Sequence, residues 1–162
     1  MITQDELLKL LDYNPDTGVF TWKVSTSNRV NVGDIVMSHH NKGYIRISIN
    51  YIRYLAHRLA WLYVYGYIPF DQIDHIDGNK KNNAIANLRE ATAKENKQNI
   101  RKPQANNASG FLGVYFDTHR GKFMAAIRIN CNSKNLGRFN TAEEAYAAYI
   151  KAKREIHKFC TI

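Results

Sequence analysis

The stretch 97–109, KQNIRKPQANNAS, most constrains how this 162-residue chain can fold. It combines low hydrophobicity with several basic residues and one proline, a composition typical of a linker. The flanking parts, residues 1–100 and 110–162, are each long enough for a small domain. We therefore expect two small folded units joined by a basic linker over residues 101–109, rather than one large core.

The positive charge of the chain is concentrated in its last third. The net charge is +9. Residues 1–100 carry 12 basic and 10 acidic side chains, whereas residues 101–162 carry 11 basic and 4 acidic ones, a net of +7. A basic segment of this kind is expected to meet a polyanion such as nucleic acid. The alternative is a basic surface that serves only solubility.

Composition excludes several classes of protein. With 44% hydrophobic residues the chain can build a packed core. It has no apolar run near the roughly 18 residues of a membrane span, and its N-terminus lacks the pattern of a signal peptide. Two cysteines, Cys131 and Cys160, without a Cys-x-x-Cys pair, predict free thiols and no four-thiolate zinc site. We expect a soluble intracellular protein.

Local patterns predict the elements of both halves. A capping box at Thr3 and Glu6 starts a short helix that ends at the turn residues of DYNPDTG. Alternation over residues 44–49 predicts a half-buried strand, and AHRLAWLYVYG predicts a helix that ends at Gly66. In the second half, three strand-like runs (FLGVYF, KFMAAIRIN and KNLGRF) precede a helix that starts with a capping box at Thr141. These features predict an α+β fold.

The most distinctive stretch is IDHIDGNKKNNAIANLREATAKEN, residues 73–96. It predicts a strand, a polar loop, a second strand and a helix. Neighbouring residues on a regular strand point to opposite faces, so Asp74 and His75 can converge only where the strand ends. A residue on the first helical turns, Asn96, can then pack back against the end of the first strand.

Asp74-His75, Asn87 and Asn96 resemble the motif of the HNH endonucleases, in the variant with asparagine at the third position. The likeness is close over residues 73–99. Upstream, HRLAWLYVYGYIP resembles, more loosely, the corresponding segment of phage and intron homing nucleases. The resemblance implies a ββα-metal (His-Me finger) core that cleaves phosphodiester bonds.

The resemblance also implies a role for each residue. His75 becomes the general base that removes a proton from the attacking water. Asp74 and Asn96 become ligands of Mg²⁺ or Mn²⁺, and Asn87 becomes the amide in the catalytic set that holds the His75 loop. Zinc-stabilised members of the family use paired cysteines, which are absent here, so no structural zinc is expected. No small-molecule cofactor is expected either.

Other interpretations of these residues stay open. Asp74 could only cap a turn. The metal ligand assigned to Asn96 could instead be one of three nearby amides, Asn82, Asn83 and Asn99. For Asn82 and Asn83, a place in the polar loop is the simpler interpretation. His57 could be a second catalytic group, but at the start of an amphipathic helix a hydrogen-bonded structural role is the simpler interpretation.

Residues 109–157 resemble an AP2 domain, a DNA-binding module of three strands and a helix. The resemblance is carried by Gly113-Val114, Gly121-Lys122-Phe123, Leu136-Gly137 and the TAEEA segment. It implies that one face of the sheet lies in the major groove of double-stranded DNA. The outer face lacks most arginines and tryptophans of the plant pattern. The predicted DNA contacts are Tyr115, Arg120, Lys122, Arg128, Lys134 and Arg138 on the module, with Arg101 and Lys102 on the linker.

Taken together, these features predict a metal-dependent DNA endonuclease that acts at a recognised site. The resemblance points to a free-standing homing endonuclease of the phage type, working in the cytoplasm of a bacterial host cell. One alternative is a sequence-specific DNA-binding regulator with an inactive nuclease domain. A structural or RNA-binding basic protein is a further alternative, which no specific feature of the sequence favours.

Overall fold

The computed structural model describes residues 2–39, 43–130 and 132–162 as a mixed α/β structure with small antiparallel sheets. Cys131 lies outside the described residues. Backbone packing divides the chain into two compact units, Met1–Ala93 and Lys94–Ile162. Among the described residues, no helix combines the length and apolar character required to cross a bilayer.

The first unit is built from short elements that follow each other closely. In chain order these are α1 Gln4–Leu10, β1 Leu11–Asn14, β2 Val19–Trp22, β3 Ser38–His39, β4 Ile45–Ile49, β5 Ile52–Leu55, α2 Ala56–Tyr65, β6 Gln72–His75 and β7 Leu88–Ala91. The strands form three separate sheets, β1-β2, β3-β4-β5 and β6-β7. The predicted capping box at Thr3 and the helix that ends at Gly66 are confirmed, and the strand predicted over residues 44–49 is present as Ile45–Ile49.

The core of the first unit lies between α1, α2 and the β1-β2 hairpin. Leu7, Leu11, Phe20 and Leu59 are almost fully buried in it. The prediction that residues 12–14 belong to a turn was wrong, because they form part of β1. Tyr13 explains the difference, since its side chain is buried against Phe20 while its neighbours Asp12 and Asn14 are exposed.

The second unit has three strands and two helices within its described residues. They are α3 Ala93–Gln98, which begins at the boundary, β8 Val114–Asp117, β9 Lys122–Ile129, β10 Asn132–Phe139 and α4 Ala142–Ile156. The sheet order is β10-β9-β8, and all its pairs are antiparallel. Helix α4 starts with the predicted capping box at Thr141 and buries Ala145, Tyr149 and Ala152 against the sheet.

The boundary between the units falls before the predicted linker, because residues 98–101 are tied to the end of the chain. The Thr161 hydroxyl donates to Asn99 Oδ1 at 2.6 Å, and the Phe159 N–H donates to Gln98 Oε1 at 3.3 Å. Lys153 is buried and donates its ammonium group to the carbonyl of Ile100. These bonds group α3 and the predicted linker with the second unit.

Candidate active site

The antiparallel hairpin β6-β7 carries the Asp-His pair at the end of its first strand. Asp74 is paired in register with Arg89, and His75 with Leu88. Asp74 and His75 are 5% and 4% exposed, although both are polar. Burial of two polar groups is costly unless each has partners, so their surroundings must compensate for the lost water.

The ring of His75 faces a buried amide. Its Nε2 lies 3.2 Å from Oδ1 of Asn83, a residue that is only 1% exposed. The amide nitrogen of Asn83 donates to the carbonyl of Lys81 at 3.3 Å, which directs the amide oxygen towards the ring. No local sequence signal separates Asn83 from the other asparagines of the loop.

Two rings also lie close to His75. The ring of His57 lies edge-on at 5.1 Å between centroids, and that of Tyr44 lies 6.1 Å away. Burial lowers the pKa of His75, although its bond to Asn83 and the charges of Asp77 and Asp74 act in the opposite direction. Burial lowers the pKa of His57 to about 3, and repulsion from the protonated form of His75 and from Arg58 acts in the same direction. Both rings are therefore neutral at physiological pH, the state that a general base requires.

Asp74 forms an ion pair with the residue opposite it in the hairpin. Arg89 donates from Nε at 3.0 Å and from a terminal nitrogen at 2.8 Å, both to Oδ2 of Asp74. Sequence reasoning did not single out Arg89. The register would have indicated it, because residues directly opposite on an antiparallel pair lie on the same face.

Asn87 holds the loop between the two strands together. Its amide donates to Oδ1 of Asp77 at 2.9 Å and to the carbonyl of Asn82 at 2.8 Å. Its side-chain oxygen accepts from the N–H of Asp77, and its backbone carbonyl accepts from that of Ile76. Partial burial raises the pKa of Asp77, but hydrogen bonds from Asn82, the Asn79 N–H and Asn87 outweigh it and lower that pKa overall.

Asn96 lies on α3, which belongs to the second unit except for its first residue. It is half-buried, and its backbone carbonyl accepts from the N–H of Asn99. Nothing in the described residues forms a cluster of three or more His, Cys, Asp or Glu side chains that could hold a metal. Asp74 belongs to the first unit and Asn96 to the second. Each offers an oxygen, as a carboxylate or an amide, of the kind that suits a hard ion such as Mg²⁺, which keeps several waters and binds substrate phosphate.

The outer face of the sheet in the second unit carries four of the eight predicted DNA contacts. The outer face is the one opposite the buried Val114 and Ile127. On it, Tyr115 and Arg138 lie on either side of Met124. Asp117 lies beside Lys122 on the same face. Arg128 shares that face and is exposed. Arg120 lies in the turn that follows β8, and both it and Arg138 donate to the Asp117 carboxylate. Sequence reasoning had overlooked Asp117.

Lys134 does not lie on this outer face. Its partner across the ladder is Ile127, whose side chain faces α4. A register shift between Asn135 and Gly137 inverts the alternation along β10, so Arg138 and Lys134 lie on opposite faces despite their even spacing. Of the two predicted linker contacts, Lys102 is exposed, whereas Arg101 is half-buried and bonded to Thr161.

Known proteins resemble parts of this chain. The sequence model of a family described as HNH endonuclease matches residues 54–98, which include Asp74, His75, Asn87 and Asn96. Protein 3.8 of Escherichia phage T7 is 34% identical over 102 residues, which make up 62% of this chain and 83% of that protein.

A solved structure, described as DNA binding and cleavage by the HNH homing endonuclease I-HmuI, is 28% identical with a TM-score of 0.44. The match covers 56% of this chain and 51% of that one, so this chain spans about half the length of that structure.

Proposed function

Because the chain belongs to the family of Protein 3.8 of Escherichia phage T7 and carries an HNH endonuclease domain over residues 54–98, we propose that it is a metal-dependent DNA endonuclease. It would hydrolyse phosphodiester bonds of double-stranded DNA, in the cytoplasm of a bacterial cell that serves as the host of a phage. The observation that carries this proposal is the buried, neutral His75, bonded to Asn83 at the end of β6 within the HNH segment.

In this mechanism His75 takes the proton from a water molecule as the water attacks phosphorus, and the 3′ oxygen departs. The lowered pKa of His75 keeps its ring neutral, and therefore able to accept that proton, at physiological pH. The ring of His57 against it is neutral for the same reason and adds no positive charge beside the base.

Asp74 would be the carboxylate ligand of the metal ion, with Asn96 as the second proposed ligand, and a bound ion would stabilise charge on the phosphate and the departing oxygen. Arg89 fixes the orientation of the Asp74 carboxylate through its two bonds to Oδ2. Asn87 keeps the loop folded through Asp77 and Asn82, which holds the end of β6 in place.

The second unit would act as an AP2-like DNA-binding module and determine where cleavage occurs. Three basic residues, Lys122, Arg128 and Arg138, share the outer face of its sheet with Tyr115, and Arg120 lies in the adjoining turn. Most protein–DNA hydrogen bonds go to phosphate and sugar, so these side chains would mainly set affinity and register. A site-recognising enzyme of the homing type is the specific form of this proposal.

A nicking assay on supercoiled plasmid tests the nuclease. We expect cleavage with Mg²⁺ or Mn²⁺ and none in excess EDTA. His75→Ala should reduce the cleavage rate at least about 10²-fold, the lower scale of general-base catalysis, while DNA affinity is kept. His119→Ala, at an exposed histidine of the second unit, is the matched control and should cut normally. Binding without any metal-dependent cleavage by the wild type would instead support the DNA-binding regulator.

The proposed DNA-binding role of the second unit can be tested by measuring DNA affinity at several salt concentrations. The two variants compared each remove one positive charge from the same sheet. Arg128→Ala should weaken binding and reduce the salt slope by about 0.9 for each DNA phosphate that the variant no longer neutralises. Lys134→Ala removes an exposed positive charge from the opposite face and should change both less. Equal effects of the two variants would contradict the assignment of the outer face to DNA.

A further inference from the structure

Asn83 combines three properties that a plain loop asparagine does not need. It is 1% exposed, its Oδ1 lies 3.2 Å from Nε2 of His75, and its backbone carbonyl accepts a hydrogen bond from the Tyr13 hydroxyl at 2.7 Å. Its amide nitrogen is committed to the carbonyl of Lys81. Both ends of the side chain are therefore engaged, and its rotation is restricted.

We propose that Asn83 is the positioning residue of the nuclease, which fixes the ring orientation and the tautomer of His75. This inference rests on the proposed role of His75 as general base. An amide oxygen carries no proton, so the bond to Asn83 requires the hydrogen to be on Nε2 of His75. In the neutral ring the lone pair is then on Nδ1, which becomes the atom that accepts the proton from water.

The β1-β2 hairpin holds Asn83 in place. In addition to the Tyr13 bond, the Ile85 N–H donates to the carbonyl of Pro15 at 2.9 Å. Gly18 lies so close to the loop that an added Cβ would come within 2.3 Å of the Asn83 carbonyl carbon and of the Ala84 nitrogen. The turn between β1 and β2 therefore accepts only glycine at this position, because the loop backbone lies directly on it. Residues 11–22 precede the matched HNH segment and belong to the support of its histidine.

A side chain that only fills space at position 83 and one that orients His75 would tolerate different substitutions. If the side chain only filled space, leucine, which has a similar volume and no buried polar atoms, would serve as well or better. If it orients His75, a replacement must keep an acceptor oxygen at the same distance. Asn83→Asp keeps that oxygen and Asn83→Leu removes it, so the pair separates the two roles. Asn28→Leu, at an exposed asparagine of the first unit that lies outside this loop, is the matched control.

The first measurement is NMR of the metal-free, full-length protein with ¹⁵N-labelled histidine, at slightly alkaline pH. In the wild type we expect the ring proton of His75 on Nε2, protected from exchange with water. Asn83→Leu should lose this protected signal. Asn83→Asp should keep it and shift it downfield, because a charged acceptor makes a shorter and stronger bond. Asn28→Leu should leave it unchanged.

The second measurement is plasmid cleavage with Mg²⁺ beside DNA affinity. Asn83→Leu should lower kcat by about 10- to 10²-fold, part of the 10²- to 10⁴-fold that a positioned base contributes, with DNA affinity unchanged. Asn83→Asp should recover most of that loss. If Asn83→Leu does not fold, Tyr13→Phe loosens the same support and should reduce both the protected signal and kcat.

The NMR result decides the role of Asn83 even if the wild type cuts no DNA, so failure of the proposed function is distinguishable from failure of this inference. A wild-type His75 with its proton on Nδ1 would overturn the assignment. So would a protected Nε2 proton that persists in Asn83→Leu.

Discussion

His57 makes the first unit specifically sensitive to acid. Its side chain is 6% exposed and packs between the rings of His75 and Tyr44. Burial, together with repulsion from the protonated form of His75 and from Arg58, lowers its pKa to about 3. The folded unit therefore keeps this ring neutral under conditions in which an exposed histidine is charged.

The sign of the effect follows from proton binding. The unfolded histidine gains a proton below a pKa of about 6.5, whereas folded His57 stays neutral until about 3. Between these values the unfolded state binds more protons, so the free energy of unfolding falls as the pH falls. At pH 5, about 1.5 pH units below the unfolded pKa, the loss is about 2 kcal/mol at about 1.36 kcal/mol per unit.

Urea unfolding followed by tryptophan fluorescence measures this loss. Both tryptophans of the chain, Trp22 and Trp61, are buried in the first unit, so their emission reports that unit alone. The comparison is between wild type and His57→Gln at pH 7.5 and at pH 5. From pH 7.5 to pH 5, the free energy of unfolding of the wild type should fall by about 2 kcal/mol more than that of the variant. This holds whatever the difference between the two proteins at pH 7.5. His75 is present in both proteins, so its contribution cancels to first order.

Equal losses in the two proteins would refute the reasoning, because they would show that folded His57 binds its proton as readily as the unfolded histidine. A larger loss in the variant would refute it as well. The expected figure depends little on the folded pKa, because at pH 5 the ring of His57 is neutral for any value below about 4.

Two further changes have expected outcomes. Gly113→Ala should destabilise the second unit by about 1–3 kcal/mol more than Gly121→Ala in thermal unfolding followed by circular dichroism. Both residues have positive φ, but only at Gly113 would the added Cβ meet another group, 2.1 Å from the Tyr149 ring. Arg89→Ala should lower the free energy of unfolding of the first unit by about 1–3 kcal/mol, because it removes the ion pair of Asp74. Arg89→Lys should recover part of this loss in the same urea assay.

The elements that the sequence predicts well are those fixed by neighbouring residues. The helix starts at Thr3 and Thr141 depend on bonds to Glu6 and Glu144, three positions along the chain. The strand–loop–strand–helix order around His75 likewise follows from local alternation and turn residues. Such signals lie within one stretch of sequence and require no knowledge of the tertiary fold.

The errors concern contacts between distant residues. The bond from Tyr13 to Asn83 spans 70 positions, and nothing in the loop distinguishes Asn83 from Asn82 before the fold is known. Lys134 was predicted as a DNA contact together with Arg138, and the register shift in β10 that puts these two residues on opposite faces has no clear sequence signal. The two compact units divide between Ala93 and Lys94, before the linker predicted over residues 101–109, and the bond from Thr161 back to Asn99 ties residue 99 to the second unit.

The support of His75 shows why a short catalytic motif does not define a complete functional unit. Its loop is polar, and the carbonyl of the buried Asn83 has no strand partner among the paired residues of β6 and β7. A buried carbonyl without a hydrogen bond costs about 1–3 kcal/mol, so the Tyr13 hydroxyl offsets a penalty that the loop cannot remove by itself. Gly18 then allows the close approach that this bond requires. The geometry of the proposed base therefore depends on residues 11–22, and substitutions in that hairpin should affect cleavage although none of its residues belongs to the motif.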